Sequence, residues 1–316
     1  MDTWGMPHKA APLDPLTADN LPKVALPQRQ KAWRVLMTAA EASRLAQVVP
    51  WMDSRSGEEG GAFLTATPAE AGMTMSDRCF HVALRFRLGL PVSWAEVCSH
   101  RTTSSMRAGS KCPCRLDRSG QHAILCKVGG GVTPIHDACC DRLYWASKST
   151  GARSLREQVV PELATPKRAE PRADLEIWGL ASEPRALFDL TVCAPFAARY
   201  QGVASSVAAG EARKRNEYPV QAGIAVQGVA VDVFGRIGPA LHDTLTRWAD
   251  LARQRDQSRG QHPRRWLHLW RTQLSVEIAR GISRLIYTAD IDTQPCKSVT
   301  PLQNPVYSPE DAPPSA

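Results

Sequence analysis

The sequence predicts an α/β fold, a mixed sheet flanked by helices, and three observations carry it. Two short apolar runs, 175–178 and 186–192, flank Gly179 and Ser182-Glu183-Pro184, which reads as a hairpin turn. A β-rich run follows at 223–234, separated from the hairpin by a helical stretch. Helical patterns also lie before the hairpin and after the last β-rich run. Strands interleaved with helices in this way pack as layers on one sheet.

Taken in order, residues 1–54 divide into a Pro-rich start, expected to be disordered, and an amphipathic helix over 28–49. Its apolar positions Trp33, Leu36, Met37, Ala40, Leu45 and Val48 fall at helical spacing. Residues 55–110 read as a helical linker, with a flexible break at 54–61. Ser76 caps a helix running to Leu88, on which Phe80, Ala83, Leu84 and Leu88 form one stripe. Residues 111–140 are rich in Cys, Gly and His. Within 141–287 the chain reads as the end of a helix over 137–149, an extended stretch over 154–160 and the hairpin over 173–192. A helix over 203–218 comes next, weakened by Gly210 and stopped before Pro219. The 223–234 strand and helices over 238–255 and 265–287 complete the pattern. The Pro-rich tail 288–316 is expected to be disordered, and the chain shows no internal repeat.

The net charge is +8, and the arginines crowd the C-terminal third: Arg213, Arg215, Arg247, Arg253, Arg255, Arg259, Arg264, Arg265, Arg271, Arg280 and Arg284, with Lys214 among them. A guanidinium fork matches phosphate geometry, so this excess suits a polyanionic partner. The N-terminus lacks a secretory pattern, and no apolar run approaches membrane-spanning length; a soluble, intracellular protein with no membrane partner is expected. Nine cysteines in such a setting fit reduced thiols or metal ligands better than disulfides.

Two constellations carry chemistry. Asp174 and Asp189 are separated by fourteen residues, one on each arm of the expected hairpin. A hairpin brings such acids to one sheet edge, where two carboxylates suit Mg²⁺ or Mn²⁺. Solvated acids at strand ends would share the same spacing. The second constellation is Cys112, Cys114, His122 and Cys126, with His136 beyond. Four such donors suit one structural Zn²⁺, stapling a Gly-rich stretch with little apolar side chain of its own. The single spacer between Cys112 and Cys114 is tighter than usual, so His136 or Cys139 stands open as a replacement for one of the four. Cys79, Cys98, Cys140, Cys193 and Cys296 are read as structural.

The order of several segments resembles the C-terminal region of non-LTR retrotransposon reverse transcriptases, a zinc knuckle followed by a restriction-enzyme-like endonuclease. The resemblance covers residues 55–287. It rests on Gly60-Gly-Ala-Phe-Leu-Thr-Ala66, Ser76-Asp-Arg-Cys-Phe80 and Leu84-Arg-Phe-Arg-Leu-Gly-Leu-Pro91, then on Cys112-x-Cys114, Gly120-Gln-His122-Ala and Cys126. Gly129-Gly130, His136-Asp137, Pro171-x-x-Asp174, Asp189-Leu-Thr-Val192 and Glu211-Ala-Arg-Lys214 continue it in register. The resemblance implies a PD-(D/E)XK-type, restriction-endonuclease-like core that cuts DNA phosphodiesters. Asp174 and Asp189 would hold the metal, and Lys214 would orient the nucleophile or stabilise developing charge. Tyr218 would support the lysine, and Glu157 would be a further acid. Thr191 stands where the short motif has its lysine, but the family takes that residue from the following helix, as Lys214 would be. Arg172 and Ala173 separate Pro171 from Asp174, a second departure.

DNA is the implied partner, together with RNA of the parent element, and the implied location is nuclear or cytoplasmic. The chain contains no Tyr-x-Asp-Asp box, so no polymerase activity is expected of it. A catalytically inactive zinc-knuckle remnant that binds nucleic acid is the alternative function, and a zinc-stapled interaction protein a third.

Overall fold

The computed structural model describes residues 59–66, 72–93, 95–101, 109–164, 169–180, 183–218, 225–255 and 263–290. The expected helix over 28–49, the Pro-rich start, Cys296 and nearly all of the tail lie outside the described residues. Four strands form one mixed sheet in the order β1 (Arg153–Val159), β2 (Arg172–Leu180), β3 (Glu183–Cys193) and β4 (Val226–Asp232). The first three run antiparallel, and β4 joins β3 in parallel. The parallel step needs a crossover, which helix α4 (Ser206–Glu217) supplies.

Alternation along β3 shows how both sheet faces are covered. Phe188, Leu190 and Val192 join the main core, whereas Leu187 belongs to a smaller cluster with Val160, Leu163, Ala173, Tyr218 and Val226. Helix α3 (Thr133–Ser149) packs on β1, β2 and β3, and α4 packs on β3 and β4. Gly210 weakens α4 as an isolated helix, but its missing side chain is what allows the crossover to sit close: a Cβ there would lie 2.6 Å from the Cys193 sulfur. Two further helices, α5 (Pro239–Arg255) and α6 (Pro263–Asp290), complete the layer. Twenty-eight residues long, α6 packs against α3, α5, the 59–64 turn and the two helices of the N-terminal part, α1 (Asp77–Leu88) and α2 (Gln121–Leu125). Its buried residues wrap around the helix, as expected of an element enclosed by neighbours.

Ser76 caps α1 as its sequence position predicts, its hydroxyl accepting from the Cys79 amide. The stripe on that helix differs from expectation. Phe80 is 36% and Leu88 60% exposed, and the buried positions are Ala83 and Phe86. Phe86 stacks on Phe234 at 4.8 Å just after β4, which rotates the contact face away from Leu88. The 111–140 segment is also not a separate unit. Cys98, Cys112 and Cys126 share one hydrophobic core with Leu175 and Phe188, and α3 begins at Thr133, inside the expected knuckle.

Buried Glu211 on α4 ties that helix to α5. Its carboxylate accepts from the Ala240 and Leu241 amides, two donors that the first turn of a helix leaves without partners. Glu211→Ala is expected to lower unfolding free energy by about 2 kcal/mol, the range for a lost cap and a charge-assisted bond. The urea midpoint measures it; an unchanged midpoint would remove this link from the fold.

Candidate active site and metal centre

Asp174 and Asp189 come together where β2 and β3 part. The ladder ends at Leu175↔Phe188, and one step further the same register sets Asp174 across from Asp189. Asp174 Oδ2 accepts from the Leu190 amide at 2.6 Å and contacts His136 Nε2, from α3, at 3.1 Å. The other ring nitrogen, Nδ1, lies 3.0 Å from Asp137. Lys214 reaches across from α4 and places Nζ 3.0 and 3.1 Å from the two oxygens of Asp189. Both partners are shielded, Asp189 being 5% and Lys214 17% exposed in their side chains. Tyr218, one turn beyond Lys214, is buried, with its hydroxyl 3.4 Å from the Arg172 carbonyl and near enough to Asp189 to favour its ionised form.

These contacts push the two carboxyls apart electrically. Burial raises both, but for Asp174 the His136 ring and the Leu190 amide outweigh it and hold the group below the usual carboxylate range. Asp189 goes the other way, raised by burial and by the neighbouring Asp174 charge against the pull of Lys214 and Tyr218. Burial disfavours the His136 imidazolium, but hydrogen bonds to Asp174 and Cys140 outweigh it and push the ring up to about 11. Two largely buried carboxyls this close repel, and the Lys214 ammonium meets that repulsion at Asp189.

Of the other residues singled out by sequence, Glu157 lies on β1 between the pairs Arg156↔Leu175 and Gln158↔Ala173, level with Asp174. Its backbone φ is 53°, the one positive value at a non-glycine among the described residues, and its side chain is half exposed beside Arg156. Thr191 holds Arg213, not a lysine, at 3.0 Å.

The cysteine–histidine cluster has a different membership from the one expected. Cys98, Cys112, His122 and Cys126 bring their ligand atoms within 4.8 Å of one another. Cys98 and Cys126 sulfurs are 3.9 Å apart, and Cys112 Sγ is 3.5 Å from His122 Nε2. Tetrahedral zinc with ordinary bond lengths requires edges of about 3.8 Å between thiolates and about 3.5 Å from thiolate to imidazole nitrogen. This Cys₃His set therefore offers a site for a metal such as zinc. Cys98 replaces Cys114, which is exposed beside the Cys112 thiol and outside the set. The cause is a pair of antiparallel bridges, Val97↔Arg115 and Arg101↔Lys111, that fold 97–101 back on 111–115. His136, the other open candidate, is committed to Asp174, and Cys139 is fully buried against α6 and near Glu277. Gly120, in the left-handed conformation at φ 77°, turns the chain into α2 and so delivers His122; a Cβ there would lie 2.8 Å from Val92.

The arginines of the C-terminal third separate into two groups. Arg213, Arg271 and Arg280 pair with Glu217, His242 and Glu277, and Arg215, Arg247, Arg253, Arg255, Arg264, Arg265 and Arg284 lie on the exposed surface, Arg247 donating to Gln227. Arg259 lies outside the described residues. Among the described residues no helix is long and apolar enough to cross a membrane. Comparison with protein-family models, curated proteins and solved structures finds no match, so the functional reading rests on the chemistry of these sites.

Proposed function

We propose that this chain is a metal-dependent DNA endonuclease with a restriction-endonuclease-like core, as the target-cleaving region of a non-LTR retrotransposon protein would be. The observation that carries it is the convergence of Asp174, Asp189 and Lys214, from β2, β3 and α4, at the point where β2 and β3 part. A divalent cation held by the two acids, Mg²⁺ or Mn²⁺, would supply Lewis-acid charge and a water of lowered pKa. The Leu190 amide and His136 keep Asp174 ionised and fixed in position. Lys214 neutralises Asp189 and brings positive charge to where a phosphodiester gains negative charge during cleavage. Tyr218 fixes Asp189 from the buried side. Exposed Arg215, on the same helix as Lys214, offers a phosphate contact nearby.

Supercoiled-plasmid nicking by the full chain tests this, with Asp174→Ala and Asp189→Ala in parallel. Nicking that requires Mg²⁺ or Mn²⁺ and is lost in both variants is the expected result. Equal cleavage by all three proteins would mean a contaminant. The second reading, a nucleic-acid-binding remnant, is favoured by the tight shielding of Asp189 and the exposed Arg253, Arg255, Arg264 and Arg265 around the α5–α6 junction. It predicts DNA retention that weakens steeply with salt and no cleavage with any divalent ion.

A further inference from the structure

The geometry points to a second, transition-metal site at this centre, formed by His136, Cys140 and Asp174 and taking a zinc-class divalent ion. Its catalytic meaning rests on the endonuclease reading, but metal binding stands or falls by itself. His136 and Cys140 are one helical turn apart on α3, so both side chains leave the same face, and Asp174 meets them from β2. The three donor atoms lie within 4.8 Å of one another. His136 Nε2 is 3.1 Å from Asp174 Oδ2 and 3.7 Å from Cys140 Sγ. Edges of about 3.4 to 3.6 Å are expected among such ligands on a tetrahedral ion, so both edges at His136 match to within a few tenths of an ångström, and the third, from Cys140 to Asp174, lies within 4.8 Å.

Two further features distinguish this from an ordinary ion pair. A simple imidazolium–carboxylate contact has no use for the Cys140 thiol, which completes the triangle from the buried side. Asp137 holds the ring's other nitrogen at 3.0 Å, the outer carboxylate that fixes the tautomer of metal-bound histidines. A thiol ligand selects against Mg²⁺ and toward zinc-class ions. His136 and Asp174 are partly exposed, at 22% and 16%, which leaves a fourth position on the solvent side, as in catalytic zinc sites.

Metal analysis of the full chain is the test. Two zinc equivalents are expected, one for each donor group. Cys140→Ala and His136→Gln should each retain one, and Co²⁺-loaded protein should lose the corresponding share of its thiolate-to-metal absorption. Asp137 is 57% exposed, so Asp137→Asn is a variant the fold tolerates. It should weaken the second equivalent about 10- to 100-fold in chelator competition. A single equivalent in the parent chain, or two retained in Cys140→Ala, overturns the site. Mg²⁺-dependent nicking with only one bound zinc would sink this inference and leave the endonuclease standing. Two zinc equivalents without nicking under any ion would do the reverse.

Discussion

Lys214→Met is expected to lower plasmid nicking about 10²- to 10³-fold, the range for removing one preorganised charge donor from an active site. The substitution keeps the aliphatic stem, whose Cβ sits over Gly228 of β4, and removes the ammonium contacting both Asp189 oxygens. DNA retention at low salt should change little, since exposed arginines elsewhere supply that attraction. Stability should fall as well, by up to about 3 kcal/mol near neutral pH, because Asp189 is left buried without its counter-ion. The sign of the pH dependence follows from the Asp189 shift. Its folded-state pKa is already raised, and losing Lys214 raises it further, so the folded variant binds this proton more tightly than the unfolded chain. Its stability is therefore highest in acid and falls as pH rises from the ordinary carboxylate range through the raised value. Urea midpoints at about pH 5 and about pH 8 would show a larger gap between variant and parent at the higher pH. Unchanged nicking in Lys214→Met would remove the lysine from the chemistry whatever the stability result.

Cys98→Ser should release one metal equivalent and loosen 97–126, whereas Cys114→Ser should do neither. The contrast is sharp because sequence spacing nominates Cys114 and the tertiary fold nominates Cys98. Apparent binding free energies of structural zinc run to about 10 kcal/mol or more, so loss of the ion is a loss of local folding energy. Some of the segment would persist, because α6 also holds it: Ser99 donates to the Ala289 carbonyl, and Ser93 and Ala95 donate to Asp290. Local melting around the knuckle, with the sheet retained, is thus the expected result. Amide hydrogen exchange would resolve it, with protection lost at Cys98 and Cys112 and kept along β3. Metal loss from Cys114→Ser with retention in Cys98→Ser would overturn this ligand set.

The contrast between these two cysteines also marks what was legible in the sequence. Elements set by local periodicity and capping stand in the chain itself: Ser76 ahead of α1, the two arms of the acid-bearing hairpin, and the helix bearing Lys214. The acids and the lysine were legible because alternation and helical spacing decide which way a side chain leaves its own element. Membership of the two donor clusters was not. Cys98 joins Cys112 only because 97–101 folds back on 111–115, and Cys140 meets Asp174 only because α3 lies against β2. The sole sequence signal for the second cluster was the His136–Cys140 spacing of one helical turn, which needs the helix start at Thr133 to be informative.

Phe86 teaches the same lesson in the core, since a ring arriving from beyond β4 set the buried face of α1. The sequence by itself determined the elements and the placement of Asp174, Asp189 and Lys214 on them, since periodicity, caps and turns act over a few residues. Only the tertiary structure decided which thiols and imidazoles come within reach of one ion, because a donor cluster is assembled from segments whose spacing along the chain carries no energy of its own.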